Sequence, residues 1–126
     1  MDVDIECGNG WRKIINPIIE YIEKYNSTVK KEENKIKILQ IKEKFGELRF
    51  YASNKTPELV KLIENAEAKS RNICELCGSE EDIGQIADGW ITTCCRKCAE
   101  KMAESQKRSR LWYSYKTKKR EVIKHG

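Results

Sequence analysis

The chain has 126 residues, of which 36% are charged and 39% hydrophobic. That suits one soluble domain with a modest core, burying roughly two-thirds of its unfolded surface. Its single histidine is His125, beside the chain end, which excludes a nucleophile–histidine pair and an HNH-type nuclease motif. The formal charge of +5 is uneven: residues 107–124 carry eight Lys or Arg and one acid, so the body is acidic and the C-terminal end basic.

Met1-Asp-Val-Asp-Ile-Glu6 is acidic and starts no targeting signal. No apolar run approaches the roughly 20 residues of a membrane span. Trp11, Ile14, Ile15, Ile18, Ile19, Ile22 and Tyr25 then fall on one face of a helix. Pro17 either kinks that helix or is its first residue, capped by Asn16. Cys7 stands apart as a half-buried thiol. Asn26 to Lys35 is polar and reads as a loop.

Ile36–Lys42 and Glu47–Ala52 read as two strands turning at Lys44-Phe-Gly46, where Gly46 is free to take positive φ. Leu48, Phe50 and Ala52 form a dry face; Glu47, Arg49 and Tyr51 form the wet one. Thr56 caps a helix that has Pro57 at its first position and buries Leu59, Ile63 and Ala66. Glu64 and Glu67 share its exposed face, read as solvated rather than as an acid–base pair.

Cys74-Glu-Leu-Cys77 and Cys95-Arg-Lys-Cys98 are separated by seventeen residues. Each Cys-x2-Cys turn puts two thiolates on one side, and two facing turns complete a tetrahedral sulfur cage. The spacing predicts one structural Zn²⁺ per chain in a closed site, in a reducing cytosol. Arg96, Lys97 and Lys101 lie beside the second turn, where they offset thiolate charge. Between the turns, residues 83–92 read as a hairpin turning at Asp88-Gly89, and Ala99–Arg110 as a helix. The expected fold is α+β. An N-terminal helix, β-hairpin and helix (1–72) pack with a four-cysteine, treble-clef-like zinc finger (73–106) of the same domain, and a basic aromatic tail (107–126) follows.

Glu6-Cys-Gly-Asn-Gly-Trp11, Lys42-Glu-Lys-Phe-Gly-Glu-Leu-Arg-Phe-Tyr51, Ala66-Glu-Ala-Lys-Ser70, Cys74-Glu-Leu-Cys-Gly78 and Gly89-Trp90, with Cys95 and Cys98, occur in that order. In these runs the chain resembles a group of small zinc proteins encoded by bacteriophages and prophages. The resemblance covers about the first hundred residues, and Lys-Glu-Lys-Phe-Gly-x-Leu-Arg-Phe-Tyr is its most specific part. Asn9 stands where that group usually has Asp, Glu47 where a second Gly is common, and Cys94 where an apolar residue is usual. The last difference favours Cys95 over Cys94 as the ligand. The resemblance implies a viral accessory protein in the host bacterial cytosol, and no particular activity.

With no catalytic residue set and no Gly-rich phosphate loop, the sequence points to a binding protein rather than an enzyme. One expected ligand is a phosphate-bearing small molecule, such as a nucleotide signal of host antiviral defence held without turnover. Lys42, Lys44 and Arg49 would meet phosphate, and Tyr51, Trp11 or Trp90 would meet a base. The alternative is nucleic acid, bound by Arg108, Arg110, Trp112, Tyr113, Tyr115, Lys118 and Lys119 of the tail. Inhibition of a host enzyme and self-association stay open. A membrane partner is not expected.

Overall fold

In the computed structural model, residues 3–125 are described. Seven strands, three α-helices and two short 3-10 turns make two sheets in an α+β fold. Helix α1 (Arg12–Asn26) runs through Pro17, so Asn16 is inside the helix and is not its cap. Ile15, Ile18 and Ile22 recur at helical spacing and are fully buried, while Pro17 faces solvent. A 3-10 turn at Asn9–Trp11 leads into this helix and drives Trp11 into the core.

The first sheet is ordered β1-β2-β3 (Ile5–Glu6, Lys37–Lys44 and Glu47–Ser53), with β1 parallel to β2 and β3 antiparallel to it. The expected alternation holds in β3, where Leu48, Phe50 and Ala52 are buried. In β2 a bulge between Ile38 and Gln40 turns Leu39 out to solvent. Helix α2 (Pro57–Ser70) starts as expected: the Thr56 hydroxyl accepts the Leu59 N–H at 3.1 Å. It also closes the free edge of β3. Ser70 Oγ accepts the Leu48 N–H at 3.0 Å, and Glu67 Oε2 accepts the Phe50 N–H at 3.0 Å. Glu67 is therefore an edge-strand partner and not half of a solvated carboxylate pair.

The second sheet is ordered β5-β4-β6-β7 and is antiparallel throughout. Its strands are β4 (Ile83–Ile86), β5 (Thr92–Cys95), β6 (Arg110–Ser114) and β7 (Arg120–Ile123). Helix α3 (Arg96–Gln106) starts directly from Cys95 and packs on this sheet. The expected tail is corrected here. Lys107 takes a left-handed φ of 52° and ends the helix, and the chain returns as a hairpin joined to β4. Arg110, Trp112 and Ser114 are the inward set of β6. Two of these three are polar, so the alternation was hidden in the sequence.

The two sheets meet along tight backbone contacts. The Gly10 N–H donates to Glu75 O at 2.7 Å, and Trp11 Nε1 donates to Ile73 O at 2.9 Å. At the other end, Thr93 Oγ1 donates to Gly46 O at 2.6 Å. A Cβ on Gly10 would lie 2.1 Å from Cys74 O and 2.6 Å from Glu75 C and O, all backbone atoms that cannot rotate aside. Gly10→Ala should therefore destabilise the fold by roughly 1–3 kcal/mol in urea melts, through overpacking. The neighbouring exposed Asn9→Ala should stay within roughly 0.5 kcal/mol. Equal stability of the two variants would mean that this junction yields freely.

Candidate functional site

The first cysteine turn follows α2. The Cys74 N–H donates to Ser79 O at 2.8 Å, the Cys77 N–H points at Cys74 Sγ at 3.5 Å, and Gly78 takes the positive φ of 83° that closes the turn. The second turn joins β5 to α3: Cys95 is the helix N-cap, its sulfur accepting the Cys98 N–H at 3.4 Å. This brings Cys74, Cys77, Cys95 and Cys98 together, with all four sulfurs within 4.8 Å of one another. Cys77 and Cys95 are 3.7 Å apart. Sulfurs about 2.3 Å from a tetrahedral metal are separated by about 3.8 Å, so the cluster fits a thiolate-bound ion.

The thiols differ in their electrostatic setting. The Ser79 backbone draws the Cys77 thiol down to about 7, while burial pushes Cys95 and Cys98 up. Four thiolates this close need a cation between them. Cys94 lies outside the cluster, and burial raises its thiol to about 12. Cys7 is half-buried as expected; burial, then the Glu75 carboxylate, raises it to about 11. Arg96 is engaged by Glu121 and lies over the Trp112 ring at 5.9 Å.

Beside the junction a cavity of about 630 Å³ opens between the β2–β3 turn and the β4–β5 loop. Lys42, Lys44 and Trp90 line it, as do Glu6, Gln40, Glu43, Phe45 and Ile91. Trp90 is 74% exposed and Phe45 70% exposed. The Trp90 indole N–H donates to Glu43 Oε1 at 3.0 Å, while Glu43 Oε2 accepts the Gly46 N–H at 2.7 Å. One carboxylate thus braces both the turn and the indole. Phe45 and Gly46 both take positive φ, at 53° and 81°, making a two-residue hairpin turn of the type that favours Asn-Gly. Neither Lys42 nor Lys44 has an ion-pair partner among the described residues. Lys44 lies 5.9 Å from the Phe45 ring centre and Lys42 5.9 Å from that of Tyr51.

The remaining expected residues sit elsewhere. Trp11 is fully buried and cannot stack on a base, which corrects its place in the ligand set. Arg49 and Tyr51 line a neighbouring groove of about 390 Å³ with Lys55 and Glu64. Arg49 is paired with Glu47 at 2.7 Å, and Arg71 holds the other oxygen of that carboxylate at 2.5 Å. In the nucleic-acid set, Trp112 is buried with its N–H on Cys94 O, and Arg110 is buried against Asp88. Both are corrected to core roles. Arg108 also reaches Asp88, Tyr113 and Tyr115 are half-buried, and Lys118 and Lys119 are exposed. Phe45, Glu43 and Gln40 were missed by sequence reasoning. The available signal was a bulky Phe in the turn position next to Gly46.

Comparisons with protein-family models, curated proteins and solved structures returned no match. No helix among the described residues is long and apolar enough to cross a membrane. Elemental analysis should find one metal ion per chain. Cys74→Ser, Cys95→Ser and Cys98→Ser should each lose it, whereas Cys94→Ser should keep it. A metal-free Cys94→Ser variant would mean the ligand set is wrong.

Proposed function

We propose that the protein is a zinc-stabilised, non-catalytic binding protein that captures a nucleotide-type ligand against Phe45 and Trp90, with Lys42 and Lys44 meeting its phosphate. The observation that carries this reading is the β2–β3 turn. A left-handed φ costs a residue with a Cβ roughly 1–2 kcal/mol, yet the Phe45 ring that bears this cost lies mostly in solvent. Asn or Gly would hold the turn with less strain. An exposed aromatic kept at a strained position beside a second exposed aromatic is a feature suited to a ligand.

The chemistry of the cavity supports the same reading. Aromatic faces accept a base, and ammonium groups without carboxylate partners accept phosphate. Trp90 is held by Glu43, so its ring loses little freedom when a ligand arrives. The Lys42 ammonium lies over the Tyr51 ring on the same sheet face, while Arg49 is already occupied by Glu47. Capture without turnover suits sequestration of a nucleotide signal of host antiviral defence, in line with the phage accessory role that the resemblance implies.

All-sulfur tetrahedral donors favour Zn²⁺ over hard cations. The order of turn, hairpin, turn and helix supports a treble-clef-like finger. The ion would cross-link the Cys74–Gly78 turn to the start of α3, contributing on the order of 10 kcal/mol to folding.

Titration calorimetry with ribonucleoside monophosphates and with cyclic mono- and dinucleotides tests the reading. Trp90→Ala and Phe45→Ala should each lose about 1–3 kcal/mol of affinity at unchanged folding. Phe45→Asn separates binding from stability. It should raise stability by about 1 kcal/mol, because Asn tolerates the left-handed region, and should still lose binding. Failure of the unaltered protein to bind any of these nucleotides would overturn the proposal.

A further inference from the structure

The C-terminal hairpin holds exposed chemistry that the cavity does not use. Alternation along β6 sends Arg110, Trp112 and Ser114 inward, and leaves Leu111 and Tyr113 on the other face. Across the ladder these two meet Val122 and Arg120, which are both exposed. On the same face, the β2–β3 turn covers the β4–β5 side, where Gly46 abuts Gln85 and Thr93. The β6–β7 side is left open. Tyr115 meets Tyr113 edge-on at 6.1 Å between ring centres, which restrains the Tyr113 ring.

Charge surrounds this face. Lys116, Lys118, Lys119 and Arg120 are exposed and make no ion pair among the described residues. The only acid of the hairpin, Glu121, is engaged by Arg96. Cations left without partners and beside a restrained aromatic ring fit a polyanion that also offers flat bases.

We infer that the open face of β6–β7 is a contact surface for single-stranded nucleic acid, with a base on Tyr113 and phosphates on Arg120, Lys118 and Lys119. A duplex offers the same phosphates but keeps its bases stacked, so it leaves Tyr113 unused. This surface differs from the tail set expected from sequence, because Trp112 and Arg110 are buried and take no part. It is also independent of the cavity, which shares none of its residues.

Fluorescence anisotropy tests the inference with labelled DNA and RNA single strands of about 20 nucleotides, a duplex of equal length, and heparin. The single strands should bind, and log K should fall against log salt with a slope of about −2, for three phosphate contacts. Tyr113→Ala should weaken single-strand binding about 10-fold at an unchanged salt slope, and Tyr113→Phe should retain it. The double variant Lys118→Ser/Lys119→Ser should reduce the slope by about 1.4, to about −0.7, because two of the three contacts are lost. Metal content and thermal melts check that each variant is folded. No binding of either single strand at low salt would overturn the inference. So would equal binding of duplex or heparin with Tyr113→Ala unaffected, which would reveal charge attraction alone.

Discussion

The structure depends on the seating of the first cysteine turn against the Gly8–Trp11 segment. Gly8 N–H donates to Glu75 Oε2 at 2.9 Å, Gly10 N–H to Glu75 O, and Trp11 Nε1 to Ile73 O. Side chains at positions 8 and 10 would strike the backbone of Cys74 and Glu75. Two glycines are therefore the condition for close approach, and the Trp11 ring fills the core beneath it. The turn that presents Cys74 and Cys77 is held from both sides, by Gly8, Gly10 and Trp11 and by the Glu75 N–H on Thr93 O of β5 at 3.0 Å, while Cys95 and Cys98 belong to the second sheet's half. A metal held among the four sulfurs would join what the glycine contact aligns.

A second contact carries that alignment to the surface. Gly46 packs under Gln85, Thr93 and Ile91, so the β2–β3 turn is fixed on the second sheet. Glu43 links the turn backbone to the Trp90 indole. The cavity therefore lies between the β2–β3 turn and a β4–β5 loop that Glu43 ties to it, an arrangement that helps preorganise a site. The runs that stood out in the sequence gather at this joint: Cys-Gly-Asn-Gly-Trp, Lys-Phe-Gly, Cys-Glu-Leu-Cys-Gly and Gly-Trp. Gly8, Gly10, Gly46 and Gly78 sit in close contacts, Gly89 supplies a positive φ in open space, and the exposed Phe45 and Trp90 line the cavity.

Much of the local structure was legible, because period and punctuation agreed. The isoleucines of α1 repeat at helical spacing, Thr56-Pro57 marks a helix start, and Leu48, Phe50 and Ala52 alternate. The β6–β7 hairpin was not legible. Its inward positions hold Arg110 and Ser114 beside Trp112, and its cations suggested a solvated tail. The charge of the buried Arg110 is met by Asp88, from the β4–β5 loop, whose carboxylate lies at 3.1 Å, with Gln106 accepting a further hydrogen bond. Asp88 lies 22 positions away, beyond any local pattern.

The sequence alone singled out the four cysteines that cluster, since two Cys-x2-Cys turns carry their geometry within four residues each. It also determined the first two helices and the first hairpin, whose signals are local, but ran the third helix on to Arg110 where it ends at Gln106. Tertiary structure alone decided which aromatics are available. Trp11, Trp90 and Trp112 look alike in the sequence, yet two are buried and one is exposed. It also decided that Arg49 is committed to Glu47 while Lys42 and Lys44 make no ion pair among the described residues. Exposure and pairing are properties of the space between distant segments, and residue type fixes only what each side chain can do once it is placed there.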